Sequence, residues 1–225
     1  MDWRDKVTAE KSLFEVYRKA RKVGSSRSNF VVAAFVFLGF LAVGGADYCL
    51  RLGIFPMDAL GKFIGQVSDI GFALTTAILG FLIAGFSIFS TITRPEIFAA
   101  LAKLDHKGSG ISRLQFVFFN FLLVFVHYLA FLAVSIALKL GLPFAPAFVR
   151  AAEAFWALSE IALWWIVVGL SATLLAWLAF LIMLLKSFIW NIYQAILVVI
   201  VTGDLIVQLE KDRRGDKSEP PSRDS

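Results

Sequence analysis

Four stretches of this chain, residues 30–50, 70–92, 116–138 and 161–185, are apolar almost without interruption. Between them the pattern breaks into short runs that mix charged residues, glycine and proline. The hydrocarbon core of a bilayer is about 30 Å thick, and a helix rising about 1.5 Å per residue needs about 20 apolar residues to cross it. Each stretch is long enough, so the pattern predicts an all-α polytopic membrane protein built as a four-transmembrane-helix bundle. The predicted organisation is a basic amphipathic segment at 1–29, the transmembrane domain at 30–185, a juxtamembrane helix at 186–209 and a disordered tail at 210–225.

The second stretch has a finer pattern. Asp69, Ala73, Thr76, Gly80, Ala84, Ser87 and Thr91 follow one another at spacings of 4, 3, 4, 4, 3 and 4. That spacing averages close to 3.6, so the seven small or polar residues form a stripe along one helix face, about 33 Å long. Phe72, Leu74, Ile78, Leu82, Phe86 and Phe89 cover the other faces. Small residues let helix backbones approach closely. Repeated around a symmetric assembly, a face with hydroxyls and a carboxylate at its mouth can also line a pore. Topology and depth matching favour close packing within one subunit.

The third stretch carries Asn120, His127 and Ser135 on one face, seven and eight residues apart. An ionisable or amide side chain at membrane depth is a functional candidate by default. Antiparallel helices would place His127 near Gly80 and near Ser171 or Thr173, and Asn120 near Ser87, Ser90 or Thr91. Asn120, His127, Ser171 and Thr173 are therefore the expected members of an intramembrane polar network.

Charge sets the orientation. Lys and Arg number eight before the first stretch, two before the second, four before the third, two before the fourth and six after it. The positive-inside rule then puts both termini and the middle loop in the cytoplasm. Residues 187–201 are apolar enough to suggest a fifth crossing, but that would export the basic tail, so they read as a helix that continues the fourth span past the membrane face, or lies against the inner leaflet or a neighbouring subunit. A charged region of 29 residues is long for a secretory signal, and 30–50 reads as a retained anchor.

The flanks have their own signals. Over residues 9–23, Leu13, Val16, Tyr17 and Ala20 share one side and Lys11, Arg18, Arg21 and Lys22 the other, which predicts a helix in the headgroup region. Thr93, Arg94, Pro95 and Glu96 have the form of a capping box with Thr93 as the cap, opening a short helix to about Leu104 that Gly108 to Gly110 end. On the other side, 56–68 and 146–160 each predict a short helix begun by proline. Arg150 and Glu153 are spaced to pair, and Trp156, Trp164 and Trp165 suit an aromatic belt. The tail from 210 onward balances five acidic against five basic residues, which argues against a nucleic-acid arm.

Composition agrees: of 225 residues, 59% are hydrophobic and 17% charged, so little chain remains for a soluble domain. One cysteine, Cys49, and two histidines, His106 and His127, support neither a disulfide nor a zinc site within one chain. No phosphate loop or nucleophile elbow is present. No cofactor, metal, catalytic residue or nucleic-acid partner is expected. The four-pass layout resembles that of small bacterial inner-membrane proteins, including membrane components of phage-defence operons, and this implies an inner (plasma) membrane location.

The expected function is a homo-oligomeric, non-enzymatic membrane protein, ion-conducting or pore-forming. The alternative is a membrane-anchoring or sensing subunit that holds a cytoplasmic partner through 93–104 and 186–209. A membrane enzyme using His127 ranks third.

Overall fold

The computed structural model of the chain describes residues 12–24, 27–92, 94–105, 111–156 and 159–216. Its elements are helical: α1 (Leu13–Gly24), α2 (Arg27–Leu50), α3 (Met57–Ile92), α4 (Pro95–Lys103), α5 (Arg113–Gly141), α6 (Ala145–Trp156) and α7 (Glu160–Asp216). A single 3-10 turn, Leu142–Phe144, joins α5 to α6. Four of these helices, α2, α3, α5 and α7, are long and apolar enough to cross a membrane, so the fold is compatible with an integral membrane protein.

Two boundaries differ from the sequence pattern. Residues 56–68 do not form a separate helix: Pro56 precedes α3, its carbonyl accepts the Leu60 amide at 3.0 Å, and no proline interrupts the helix before Ile92. The fourth apolar stretch and the juxtamembrane segment form one α7, 57 residues long, the continuous helix that the sequence pattern suggests. It runs on to Asp216, into the segment expected to be disordered; residues 217–225 lie outside the described residues. At about 1.5 Å per residue α7 is about 86 Å long, far more than a bilayer core requires.

The helix starts also differ. Thr93 lies outside the described residues, and α4 is preceded by Arg94 in extended conformation (φ −62°, ψ 143°) with no side-chain cap bond. That is the conformation a residue before proline is driven to adopt. A capping box does form, at α5: Ser112 Oγ accepts the Gln115 amide at 3.1 Å and Gln115 Oε1 accepts the Ser112 amide at 3.0 Å. His106 and Gly108 to Gly110 lie outside the described residues.

The centre of the bundle is α3, α5 and α7. Leu82, Leu123, Tyr128, Phe131 and Leu181 fill the space between them, almost fully buried. The helices alternate in direction. Phe86 meets Phe118 and Phe121 near one end of α3 and α5, while Asp69 meets Lys139 near the other. Against α7, Asn29 of α2 pairs with Ser187 and Gly44 lies against Val168 and Trp164. The packing is tight at Gly71, where any Cβ would run into the Phe131 ring and come within 3.1 Å of Ser135 Oγ. Helix α1 docks on α5, with Ala20 fully buried and Val16 and Tyr17 packed against the same core.

Candidate functional site

The packing face of α3 carries Leu60, Ile64, Val67, Ser68, Thr75, Leu79 and Leu82, all buried, together with Gly71. Large side chains do most of the filling here, and Gly71 makes room for Phe131. The expected stripe lies elsewhere on the same helix. Asp69, Ala73, Thr76, Gly80, Ala84, Ser87 and Thr91 are all exposed. A Cβ added at Gly80 would meet nothing within 4 Å. Close packing of this stripe inside the subunit is therefore corrected: the bundle uses the bulkier face and leaves the small one outward.

Three of the stripe's four polar side chains, Asp69, Ser87 and Thr91, find partners within the chain. Ser87 Oγ donates to the Ile83 carbonyl at 2.9 Å, and Thr91 Oγ1 donates to the Ser87 carbonyl at 2.9 Å. Such back-bonding is the usual way a hydroxyl is accommodated on an apolar helix. Asp69 forms an ion pair with Lys139 at 2.7 Å, and Lys139 also lies over the Phe72 ring at 5.2 Å. The carboxylate at the end of the stripe thus has its counter-ion from α5.

His127 faces away from Gly80. Its Nδ1 donates to the Leu123 carbonyl at 2.8 Å, so Nε2 is the acceptor, and the Tyr17 hydroxyl lies 3.5 Å from it. The imidazole sits between the Tyr17 and Phe180 rings, 5.7 and 5.4 Å from their centroids. With Thr173 and Trp177 it lines a groove of about 440 Å³ between α1, α2, α5 and α7. Thr173 and Ser171 hydroxyls donate to their own helix, to the Gly169 and Val167 carbonyls. His127 and Thr173 thus share a groove, while Ser171 is closed on α7.

Asn120 belongs to a different place. It is 3% exposed, and its Oδ1 is buried without a hydrogen-bond partner. Ser87 and Thr91, two of the three partners expected for it, bond instead to their own backbone. The four residues of the expected network therefore separate: Asn120 lines one groove, with Leu82, Gly85 and Phe86, and His127 another. Leaving a buried amide oxygen unpaired costs about 1–3 kcal/mol. Ser135 Oγ, beside Gly71, is the other buried side-chain oxygen without a partner among the described residues.

Several polar fasteners were not legible as such in the sequence. Asp47 is buried, and its Oδ1 and Oδ2 accept the Ile54 and Phe55 amides at 2.8 and 2.9 Å. It shapes the turn from α2 to α3, in which Arg51 and Gly53 take positive φ of 50° and 68°. Asn29, at the charged flank of the first apolar stretch, is buried and exchanges hydrogen bonds with Ser187 at 3.0 and 3.2 Å. Tyr128 OH donates to the Leu181 carbonyl at 3.0 Å, and Trp164 Nε1 to the Phe55 carbonyl at 2.9 Å. Arg150 Nε donates to the Pro146 carbonyl at 3.3 Å; the side chains of Glu153 and Trp156 lie outside the described residues.

Among the described residues no group of three or more His, Cys, Asp or Glu side chains could hold a metal ion, and Cys49 is an exposed thiol. Comparison with family models, with curated protein sequences and with solved structures returned no match. The chain's functional candidates are thus the outward stripe of α3 and the two grooves, in a helical bundle suited to a membrane.

Proposed function

We propose that this protein is a non-enzymatic membrane scaffold whose copies associate through the outward face of α3, with both termini on the cytoplasmic side of a plasma membrane. The observation that carries this reading is the stripe itself: seven small or polar residues from Asp69 to Thr91, all exposed, beside a separate face that packs the bundle. In lipid there is little hydrophobic drive between helices, so association depends on close van der Waals contact, which small residues permit. Ser87 and Thr91 have placed their protons on backbone carbonyls, and Asp69 is paired with Lys139. A helix contact at this face leaves the Ser87 and Thr91 hydroxyls and the Asp69 carboxylate paired, and the Thr76 hydroxyl is the stripe's donor left for a neighbouring helix.

A second reading has its own support. Helix α7 runs from the bundle to Asp216, and Val198 and Val199 pack with Leu101, Ala102 and Leu114 in a small cluster that joins α4, α5 and α7. Such an extension suits a surface that holds a cytoplasmic partner, and it is compatible with a self-associating anchor.

The test is the oligomeric state of detergent-solubilised protein by light scattering, for the native chain and for Gly80→Leu. The scaffold reading expects a defined oligomer that falls to monomer with Gly80→Leu, at a position where an added Cβ meets nothing inside its own subunit. A monomeric native chain contradicts it. Ion flux in liposomes that Gly80→Leu abolishes would assign the same face to a pore.

A further inference from the structure

The groove beside Asn120 lies between the later turns of α3, the first turns of α5 and the part of α7 beyond Lys186. Its cavity volume of about 410 Å³ falls within the range of about 300–1,000 Å³ that small-molecule sites occupy. Its walls are phenyl rings and branched aliphatic side chains. Phe86 and Phe121 stack with centroids 4.6 Å apart, and Phe188 lies 6.2 Å from Phe121. Among the described lining residues only Asn120 and Asn191 carry polar side chains.

Two features together define an occupant. The walls call for a hydrocarbon body, because so apolar a space offers water few of the two to four partners that a buried water needs. Asn120 lines the groove with a side-chain amide whose oxygen has no hydrogen-bond partner, and such an amide calls for a polar group at one point on that body. A hydroxyl both donates and accepts, so it satisfies the amide whichever way its oxygen and nitrogen are turned. Phe81 and Ile88, at the groove, are 65% and 58% exposed on helices apolar enough to lie in lipid. The surrounding bilayer is therefore the source from which the groove can fill.

We propose that this groove binds a single-chain lipid bearing a hydroxyl group, with its hydrocarbon against the phenyl walls and its hydroxyl bonded to Asn120. Gly85 lines the groove, and a Cβ there would meet nothing within 4 Å, so a larger side chain at that position fills the ligand's space without entering the core.

The experiment uses the full chain in phosphatidylcholine nanodiscs loaded with one copy each. Photolabelling is carried out with a diazirine-bearing hexadecanol and, in parallel, with the diazirine-bearing hexadecane that lacks the hydroxyl. Labelled residues are mapped by peptide mass spectrometry. The expected result is labelling within 81–89, 116–121 or 188–199, at least fivefold stronger for the alcohol than for the hydrocarbon. Asn120→Leu should remove that preference, and Gly85→Phe should remove both labels while helix content by circular dichroism is unchanged. Equal labelling by the two probes overturns the proposal, as does a preference that survives Asn120→Leu. Labelling that survives Gly85→Phe also overturns it, even if Asn120→Leu fails to fold. Labelling of these segments only in discs that hold several copies overturns it too, and assigns the groove to a neighbouring chain.

Discussion

Asp47 sits where an apolar helix ends, and its two oxygens take up backbone amides that the turn to α3 would otherwise leave unpaired. Hydrogen bonds to a charged acceptor are worth about 1.5–3 kcal/mol each, and an unmatched buried amide has its own cost. Asp47→Ala should therefore destabilise the bundle by about 2–4 kcal/mol and Asp47→Asn by about half as much, read from denaturant unfolding in detergent. Equal stability of all three would remove the carboxylate from the account of this turn. Glycines on α3 offer a second contrast at this scale. Gly71→Ala forces a methyl into Phe131 and should cost about 1–3 kcal/mol. Gly80→Ala meets nothing and should be neutral, or stabilising by up to about 1 kcal/mol through helix propensity, when the protein is a monomer.

At the scale of elements, the four helices long and apolar enough to span a membrane were legible because their signal is long and redundant: each holds a run of high hydropathy about 18 residues or longer. Positions that depend on which face of a helix meets which neighbour were not. Small residues mark a face that can pack closely, but Thr76 and Gly80 say nothing about whose helix will do so. The bundle instead buries Thr75, Leu79 and Leu82, a face with no compositional mark of its own. The same limit applies to His127, whose hydroxyl partner, Tyr17, comes from a helix 110 residues away. Tyr17 and Ala20 were recognisable as one side of an amphipathic helix, but lipid and the α5 surface are equally apolar partners for that side. Helix α1 should be held by this contact. Ala20→Leu, which overfills a fully buried site, should detach it and raise hydrogen exchange across Leu13–Gly24 toward the unfolded rate. Unchanged protection there would mean that α1 is held by something other than its seat on α5.

Over the whole molecule, two surfaces coexist that one subunit does not use: the outward stripe of small and polar residues on α3 and the phenyl-lined groove at one end of the bundle. The stripe has the small, exposed surface of a helix–helix contact, with Asp69, Ser87 and Thr91 already paired, and the groove has an unmet hydrogen-bonding need at Asn120. They lie on the same stretch of α3, where Ala84 and Ser87 alternate with Gly85 and Phe86. A ligand in the groove and a neighbour on the stripe would therefore touch the same two turns of helix.

Association through the stripe is tested most directly by cysteine cross-linking in membranes. Single cysteines would be placed at Thr76, Gly80 and Ala84 in a Cys49→Ser background, with Leu79→Cys as the buried control. Dimeric cross-links are expected between identical positions at the three stripe sites, formed on mild oxidation, and none at Leu79. Absence of cross-links at all three stripe positions, with efficient disulfide formation elsewhere on the surface, would contradict it.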